Sequence, residues 1–441
     1  MKLKRLVIDN FRCFKHFDIR FAPDVSIIIG KNGAGKTSLI SGIVYSLYFM
    51  FTNDRSAGND FLSAGNPDLK MKSPRHSEFY RDNAGDKIED VNLHGEMELD
   101  GQMLYWDMYR PATPGSALYP SKYKEAYRQF IQQYRKSGHL PLIAYFSDSF
   151  PHRQTNLSSF AKEESGKGEQ TLRNFGYYQW DNELACTTIW KLRLTNALIK
   201  DKMLEGGNAF NHAEVKYIEQ KLCEFSRPIN LDYDNCYEIE RLFVSFNTKE
   251  ERELWLRLKN GKEMDFESLP AGYRRLYSIV LDLAYRAFLL NRQETDVVTG
   301  LVLIDEIDLH LHPSLKKEAV MRFTRLFPHI RFIMTSHSPI VVSNLPHQDG
   351  DNRILRIVEG ENEPHSLPDI YGIDYDTALR DVMETNERDE NIDFLKSSIL
   401  RAMRLNDAEL LVQRKEELSN CVSKKRFDEI MNDVERAYKA E

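Results

Sequence analysis

The chain has 441 residues, of which 41% are hydrophobic and 29% charged, a balance typical of a globular protein and not of a disordered one. No apolar run approaches the roughly 18 residues that a membrane helix requires, which argues against a transmembrane protein. The formal net charge of −7 offers no general attraction to phosphate backbones, so contact with nucleic acid has to be local or made through a partner.

The first predicted element is a strand at residues 3–9. No apolar core or small-residue cleavage site of a signal peptide accompanies it, so we expect a cytoplasmic protein. A second strand at 25–29 runs into a glycine-rich turn, and a helix predicted over 38–48 follows that turn. These elements form a strand, loop and helix unit.

The next part of the chain predicts an antiparallel β-layer. Residues 52–86 are polar and rich in turn formers, which indicates an irregular insertion. A hairpin is predicted over 91–108, because two alternating runs flank Asp100 and Gly101, a signal of a type I′ turn.

The middle of the chain is mostly helical in pattern. Apolar residues have helical spacing over 121–136, 181–204 and 212–225. A strand-like run at 141–146 and a polar stretch at 147–175 interrupt these helices. No heptad pattern is sustained over four repeats, so no long coiled coil is expected.

A second hairpin turns at Asn260 and Gly261. An amphipathic helix over 273–291 comes next. Two all-apolar strands at 301–304 and 331–335 then follow, of the kind that parallel sheets bury on both faces.

The end of the chain predicts a last strand at 354–358 and a charged helical tail over 374–441. Basic clusters in 122–136 and at 424–426 are typical of solvated helix faces, but they leave room for local contact with nucleic acid. The five cysteines are scattered, odd in number and never spaced as C-x-x-C. We therefore expect reduced, mostly buried thiols, and neither a disulfide framework nor a zinc site.

The run GKNGAGKT at 30–37 fits the phosphate-binding pattern G-x-x-x-x-G-K-[ST], between a predicted strand and a predicted helix. In such a loop backbone N–H groups surround the phosphates, the lysine neutralises the β- and γ-phosphates, and the threonine hydroxyl binds Mg²⁺. The motif predicts a site for ATP and Mg²⁺. Its predicted nucleotide-binding residues are Asn32, Gly33, Ala34, Gly35, Lys36, Thr37 and Ser38.

A second motif, LVLIDE at 301–306, delivers two carboxylates at the end of a buried strand. We expect Asp305 to hold Mg²⁺ and Glu306 to act as the general base on the attacking water. His337, at the end of the following apolar strand, is a candidate sensor that hydrogen-bonds the γ-phosphate. A structural histidine is the alternative for His337 by itself.

The order of these motifs resembles the ABC-type ATPases of the SMC, RecF and OLD group. The matching runs are NFRCF at 10–14, GKNGAGKTS at 30–38, SLPAGYRRL at 268–276, LVLIDEIDLHLHP at 301–313 and TSHSP at 335–339. They span most of the chain, and DEIDLHLHP is specific to the compact prokaryotic branch. Within the group the chain is most similar to the PtuA-like ATPases of Septu and retron-linked anti-phage systems.

The resemblance implies further site residues. Arg12 would lie near the nucleotide phosphates. Residues 269–273 would form the signature loop, which closes on the ATP of an opposite subunit through Gly272 and Arg274. The loop after the second motif, 309–312, would cross the dimer interface.

The signature departs from the group's usual Leu-Ser-x-Gly, because Pro270 stands where a serine hydroxyl would touch the γ-phosphate. One hydrogen bond to a charged acceptor, worth about 1.5–3 kcal/mol, would be missing. We therefore expect slow hydrolysis, or an ATP-bound dimer as the working state. The glutamine of the group's Q-loop has no clear match, and Gln154 is one candidate.

Two patterns carry competing interpretations. His310 and His312, two residues apart and after two acids, suggest metal ligands, although by the resemblance they belong to the interface loop. The run VEG at 358–360, followed by Asp374 and Asp376, suggests a Toprim nuclease. The residues after Asp374 have a helical pattern without the strands that such a domain needs.

We expect an α/β fold with an ABC-type head, in which a mixed or parallel core sheet carries the antiparallel β-layer. The predicted segments are a P-loop lobe at 1–115, a helical insertion at 116–240, a signature lobe at 241–370 and a helical tail at 371–441. Because the signature loop must face another copy's P-loop, a head-to-head homodimer is the minimum assembly, and higher oligomers remain open.

The resemblance implies an ATPase subunit whose ATP-driven closure controls a separate nuclease, with an HNH type favoured, in anti-phage defence. A RecF-like DNA repair ATPase and a nucleotide-gated scaffold with little hydrolysis are alternatives. An ABC-transporter motor agrees least with the sequence, since neither the motif DEIDLHLHP nor the helical tail is typical of that class.

Overall fold

The computed structural model describes the chain except residues 53–61, 82–87, 151–156, 182–186, 204–208, 230–235, 247, 293–297, 347–349, 383–389 and 441. It divides into two compact units, Met1–Ile373 and Asp374–Glu441. Every described strand belongs to the first unit.

Strands and helices are interspersed along the first unit. The strands are β1 (Lys2–Phe11), β2 (Phe14–Arg20), β3 (Val25–Ile29), β4 (Asn92–Leu99), β5 (Gln102–Asp107), β6 (Leu142–Phe146), β7 (Ile239–Phe246), β8 (Arg252–Leu258), β9 (Glu263–Asp265), β10 (Gly300–Ile304), β11 (Ile330–Thr335), β12 (Asn352–Arg356) and β13 (His365–Ser366). The helices of both units are α1 (Lys36–Leu47), α2 (Lys124–Ser137), α3 (Ser159–Gly166), α4 (Thr187–Met203), α5 (Ala209–Ser226), α6 (Ala271–Asn291), α7 (Pro313–Leu326), α8 (Pro339–Ser343), α9 (Tyr375–Thr377), α10 (Glu390–Leu405), α11 (Ala408–Cys421) and α12 (Lys424–Ala440).

A six-stranded sheet in the order β13-β12-β3-β11-β10-β6 forms the core of the first unit. Its strands run parallel except β13, which pairs antiparallel to β12 at the edge. Strands β3, β6 and β10 are buried along their whole length, as expected of apolar runs in a covered parallel sheet. Because the strands are parallel, the loops that follow β3, β10 and β11 emerge at the same edge.

An antiparallel layer in the order β2-β1-β4-β5 accompanies the core sheet. The turn between β4 and β5 has positive φ at Asp100 (49°) and Gly101 (83°), which confirms the predicted type I′ turn. Gly95 faces the Trp106 ring, where an added Cβ would lie 2.2 Å from a ring carbon. The Trp106 indole N–H donates to the carbonyl oxygen of Ser46 (2.7 Å), which links this layer to α1.

A small antiparallel sheet in the order β7-β8-β9 leads into α6. The predicted turn at Asn260 and Gly261 joins β8 to β9, with Gly261 at φ 80°. Helix α6 is buried along most of its length. It is therefore a central element of the first unit, which fixes the position of the residues at its start.

The described residues of the second unit are mostly helical, which confirms the predicted C-terminal helices. Helices α10, α11 and α12 enclose a small core of their own. Its buried residues are Leu395, Ile399, Leu418, Ile430, Met431 and Val434.

The predicted fold class is confirmed: the chain is α/β, with a mixed core sheet, an antiparallel layer and C-terminal helices. Residues 116–240 contain β6, which belongs to the core sheet, beside helices α2 to α5. The division of the chain into four segments stays a prediction. In the described part of the chain, no helix is both long and apolar enough to cross a bilayer.

Several elements differ from the expectations. Strand β2 was not predicted, and β7 has an irregular burial pattern with a register shift near its start, so period-two alternation does not reveal it. Helix α3 lies inside the polar stretch 147–175, for which no helix is predicted. Helix α7 was also missed, although Pro313 at its first position is a helix-start signal.

The described cysteines are free thiols, but the expected burial is wrong for most of them. Cys13, Cys236 and Cys421 are exposed, and Cys223 is half-buried. The reason is local: Cys421, for example, ends α11 at a helix terminus instead of facing a core.

Candidate active site

The glycine-rich loop joins the end of β3 at Ile29 to the start of α1 at Lys36. Gly33 and Gly35 have φ values of 86° and 104°, which side-chain-bearing residues rarely adopt. A Cβ on Gly30 would lie 2.6 Å from the carbonyl oxygen of Ile357. The backbone path of the loop therefore requires these glycines. The path leads into the N-terminus of α1, where backbone amides can bind an anion.

Lys36 lies folded onto its own loop. Its ammonium donates to the carbonyl oxygens of Gly30 (2.8 Å) and Lys31 (3.0 Å), and the residue is 7% exposed. Burial lowers the pKa of Lys36, while the nearby carboxylates of Asp305 and Glu306 act in the opposite direction. The ammonium thus lies in a desolvated position between the loop and two acids, where an anionic ligand would be attracted.

Thr37 and Asp305 meet although they come from distant parts of the sequence. The Thr37 hydroxyl donates to Oδ2 of Asp305 at 3.1 Å. The other carboxylate oxygen of Asp305 accepts from the Thr335 hydroxyl at 2.5 Å, and the residue is 3% exposed. A hydroxyl and a carboxylate are oxygen ligands of the kind that Mg²⁺ prefers, so both residues suit the predicted metal site.

Glu306 and His337 lie at the outer side of this cluster. Oε1 of Glu306 is 3.9 Å from Nε2 of His337, and each side chain is 36% exposed. Glu306 has a φ of 49°, and its N–H donates to the Thr335 hydroxyl at 2.8 Å. The ends of β3, β10 and β11 therefore bring Lys36, Asp305, Glu306 and His337 to one edge of the core sheet.

The remaining loop residues lie around the first turn of α1. Ala34 is buried and its N–H donates to the carbonyl oxygen of Lys31 (3.2 Å), whereas Asn32 and Gly33 are exposed. Ser38 is half-buried in that turn. Their amides are in position to contact phosphate oxygens, and this role stays a prediction.

The signature segment packs against the loop that follows β10. Pro270 precedes the first residue of α6. A Cβ on Gly272 would lie 2.6 Å from the carbonyl oxygen of His310, so a glycine is needed for contacts within the same chain. Arg274 donates to the carbonyl oxygen of Glu267 (2.9 Å). Contacts of Gly272 and Arg274 with a second copy stay a prediction.

Arg12 lies beside α1, in an ion pair with Glu78. Its Nη2 is 2.7 Å from Oε1 of Glu78, and the Tyr45 hydroxyl donates to the other oxygen of that carboxylate (2.8 Å). The pair lines a cavity of 310 Å³. The next two residues, Cys13 and Phe14, contact Gly35 of the glycine-rich loop. Arg12 is thus near the loop, but its described partner is a carboxylate.

The two histidines of the loop after β10 have local structural roles. His310 has a φ of 61°, and the His312 ring accepts from the Ser314 N–H as the N-cap of α7. Across the described residues, no group of three or more His, Cys, Asp or Glu side chains could hold a metal ion.

Of two further candidate residues, the structure describes one. Asp374 caps α9 by accepting from the Thr377 N–H (3.0 Å). Gln154 lies outside the described residues.

Sequence reasoning missed three residues that organise the site. Thr335 bridges Asp305 and Glu306, and Asp308 accepts from the Ser336 hydroxyl (2.7 Å). The buried Arg275 donates to the carbonyl oxygens of Asp305 and Glu306. All three lie inside the motif runs at 268–276, 301–313 and 335–339, which was the available signal, but their roles depend on tertiary contacts.

The chain is similar to several known proteins. The profile of a family described as "AAA domain" matches residues 5–276. "Retron Vc95 probable ATPase" of Vibrio cholerae serotype O1 biovar El Tor is 23% identical over 390 residues, 78% of this chain and 72% of the relative. "Septu protein PtuA" of Bacillus mycoides (strain KBAB4) is 32% identical over 130 residues, 29% of this chain and 18% of the relative.

A third relative comes from DNA repair. "DNA double-strand break repair Rad50 ATPase" of Saccharolobus solfataricus is 37% identical over 90 residues, 20% of this chain and 9% of the relative. The resemblance stated from the motifs is therefore confirmed: the chain is similar to a probable retron ATPase, to a Septu protein PtuA and to a Rad50 repair ATPase.

Proposed function

This chain belongs to the AAA domain family, and we propose that it binds ATP with Mg²⁺ and hydrolyses it. The observation that carries this proposal is the 3.1 Å contact between Thr37 and Asp305, at the same sheet edge as Lys36, Glu306 and His337. A phosphate-binding lysine, a pair of oxygen ligands and an exposed carboxylate are the parts that phosphoryl transfer to water needs.

Each residue has a distinct part in the proposed reaction. Lys36 leaves the carbonyl oxygens of its own loop and pairs with the β- and γ-phosphates, while the loop amides bind the phosphate oxygens. Thr37 and Asp305 would hold Mg²⁺, which would neutralise charge on those phosphates. Glu306 accepts a proton from the attacking water, and His337 hydrogen-bonds the γ-phosphate.

We further propose that hydrolysis takes place between two copies of the chain. Gly272 and Arg274 lie in the first turn of a long buried helix, which fixes their positions; within the single chain Gly272 is buried and Arg274 is half-buried. In the proposed dimer this turn faces the nucleotide of the second copy. Pro270 has neither a hydroxyl nor a backbone N–H to offer a phosphate. Slow turnover in a long-lived ATP-bound dimer is the expected consequence.

The biological role that we propose is control of a separate nuclease, HNH-type favoured, in anti-phage defence. The names of the retron and Septu relatives support this role. A RecF-like repair ATPase is the alternative that the Rad50 relative favours, and a nucleotide-gated scaffold is the one that Pro270 favours.

The proposal is tested on the purified chain. We expect phosphate release from ATP that needs Mg²⁺ and stops with a chelator, together with a doubling of the particle mass in light scattering when ATP is added. A chain that binds no ATP in calorimetry would contradict the proposal. Turnover that rises strongly with added DNA would favour the repair alternative, and tight binding without turnover would favour the scaffold.

A further inference from the structure

Arg275 is a cation enclosed beneath the candidate site. It lies in the first turns of α6, directly after Arg274, and is 1% exposed. Its guanidinium donates to backbone carbonyl oxygens of two separate segments. One segment follows β6 and the other follows β10. The acceptors are Ser147 (3.3 Å), Asp148 (2.7 Å), Phe150 (3.2 Å), Asp305 (2.7 Å) and Glu306 (3.2 Å).

The environment of Arg275 differs from that of other buried arginines in the chain. Arg193, Arg286 and Arg322 each pair with a buried carboxylate. Among the described residues, no carboxylate forms such an ion pair with Arg275. Burial lowers its pKa, and the nearby acids Asp148 and Glu306 oppose this shift. Because arginine stays protonated in proteins, the structure retains a buried charge whose hydrogen bonds, within the described part of the chain, go to backbone carbonyl oxygens.

Glu306 accepts from Arg275 and has a backbone geometry that needs support from neighbouring groups. Its φ of 49° is unfavourable for a residue with a side chain, so neighbouring groups have to hold it. The Thr335 hydroxyl accepts from its N–H, and Arg275 donates to its carbonyl oxygen. The two contacts fix the peptide groups on both sides of the Glu306 α-carbon, and thereby the direction of its side chain.

We infer that Arg275 is a positioning residue, which aims the Glu306 carboxylate by tying its backbone to α6 and to the segment after β6. Arg275 acts through Glu306 and does not touch the nucleotide. The inference rests on the proposed function, since it assumes that Glu306 is the general base. It assigns to α6 a part in the chemical step as well as in the packing of the first unit.

The test compares R275M with R286M, which removes a buried arginine farther along the same helix. Nucleotide affinity, kcat, KM and Tm are measured for both variants and for the unaltered chain. We expect R275M to lower kcat at least about tenfold while ATP affinity stays within about twofold, because the glycine-rich loop is untouched. R286M should lower Tm without a selective loss of kcat. R275K, which keeps the charge but reaches fewer carbonyl oxygens, should be intermediate in kcat.

The outcomes separate the inference from the proposed function. If R275M matches the unaltered chain in kcat, or loses kcat and ATP affinity together, the inference is wrong. If R275M does not fold, R275K is judged by the same criterion. An unaltered chain that neither binds nor hydrolyses ATP contradicts the proposed function itself, whereas an active chain with an active R275M contradicts the role of Arg275 alone.

Discussion

The α-carbon of Gly272 faces the backbone of His310 so closely that an added Cβ would lie 2.6 Å from its carbonyl oxygen. G272A is therefore expected to displace the loop after β10 and to lower the free energy of unfolding by about 1–3 kcal/mol. Chemical denaturation measures this change, and G166A is the control, because an added Cβ there meets nothing within 4 Å. Equal stability of G272A and the unaltered chain would contradict the contact.

Thr335 is the next target, because its buried hydroxyl serves two groups at once. It accepts from the Glu306 N–H and donates to Asp305. T335V leaves both groups unsatisfied, which costs about 1–3 kcal/mol each and should lower turnover about tenfold or more. T335S keeps the hydroxyl and should keep most of the activity. If T335V and T335S have the same kcat in a phosphate-release assay, the bridge has no catalytic importance.

E306Q tests the proposed general base. The amide keeps the size of the side chain but cannot accept the proton, so kcat should fall about 10²- to 10⁴-fold while ATP binding persists. The ATP-bound dimer should accumulate, which light scattering detects. E359Q, a change in an exposed turn, is the control. Unaltered turnover in E306Q would assign the base to another residue.

K36A tests the phosphate-binding lysine. Its ammonium is the cation that the glycine-rich loop encloses, so its removal should abolish ATP binding measurable by calorimetry. K15A, which removes an exposed lysine of β2, should bind ATP normally. Nucleotide retained by K36A would overturn the assignment of the loop.

The lowered pKa of Lys36 predicts proton uptake on ATP binding at alkaline pH. Burial disfavours the charged ammonium in the free protein, and phosphates beside it restore the charge. Affinity should therefore fall as pH rises through the lowered pKa. Unfolding has the opposite dependence: the unfolded chain binds more protons in that window, so the contribution of Lys36 to stability rises with pH. Calorimetry at pH 9 in buffers of different ionisation heat measures the uptake, and K36R should remove the part due to this side chain.

Local patterns predicted much of the fold and of the candidate site. The glycine-rich run and the two apolar strands each carry their own signal, so the strand ends that bear Lys36, Asp305 and His337 could be located from the sequence. The type I′ turn at Asp100 and Gly101 was predictable for the same reason, since positive φ at two residues favours that pair.

The parts that escaped prediction depend on contacts between distant segments. The alternation of β7 is interrupted by a register shift, and its partner β8 stabilises it. Thr335 and Arg275 act largely through backbone groups that follow other strands. The sequence does not show which backbone groups these are. By the resemblance, the motif of Arg12 predicts a position near the nucleotide phosphates. In the structure the insertion after α1 supplies Glu78 as its partner, and no local pattern predicts that ion pair.

The central strand β3 is flanked by β11 and β12, which are synthesised near the end of the first unit. Val25 pairs with Phe332 and Asn352. During translation, β3 therefore lacks both of its neighbouring strands until these late residues have been synthesised. Pairing across such a span also slows folding. Products that end before β10 therefore carry the glycine-rich loop without Asp305 and Glu306, and without either of the strands that flank β3.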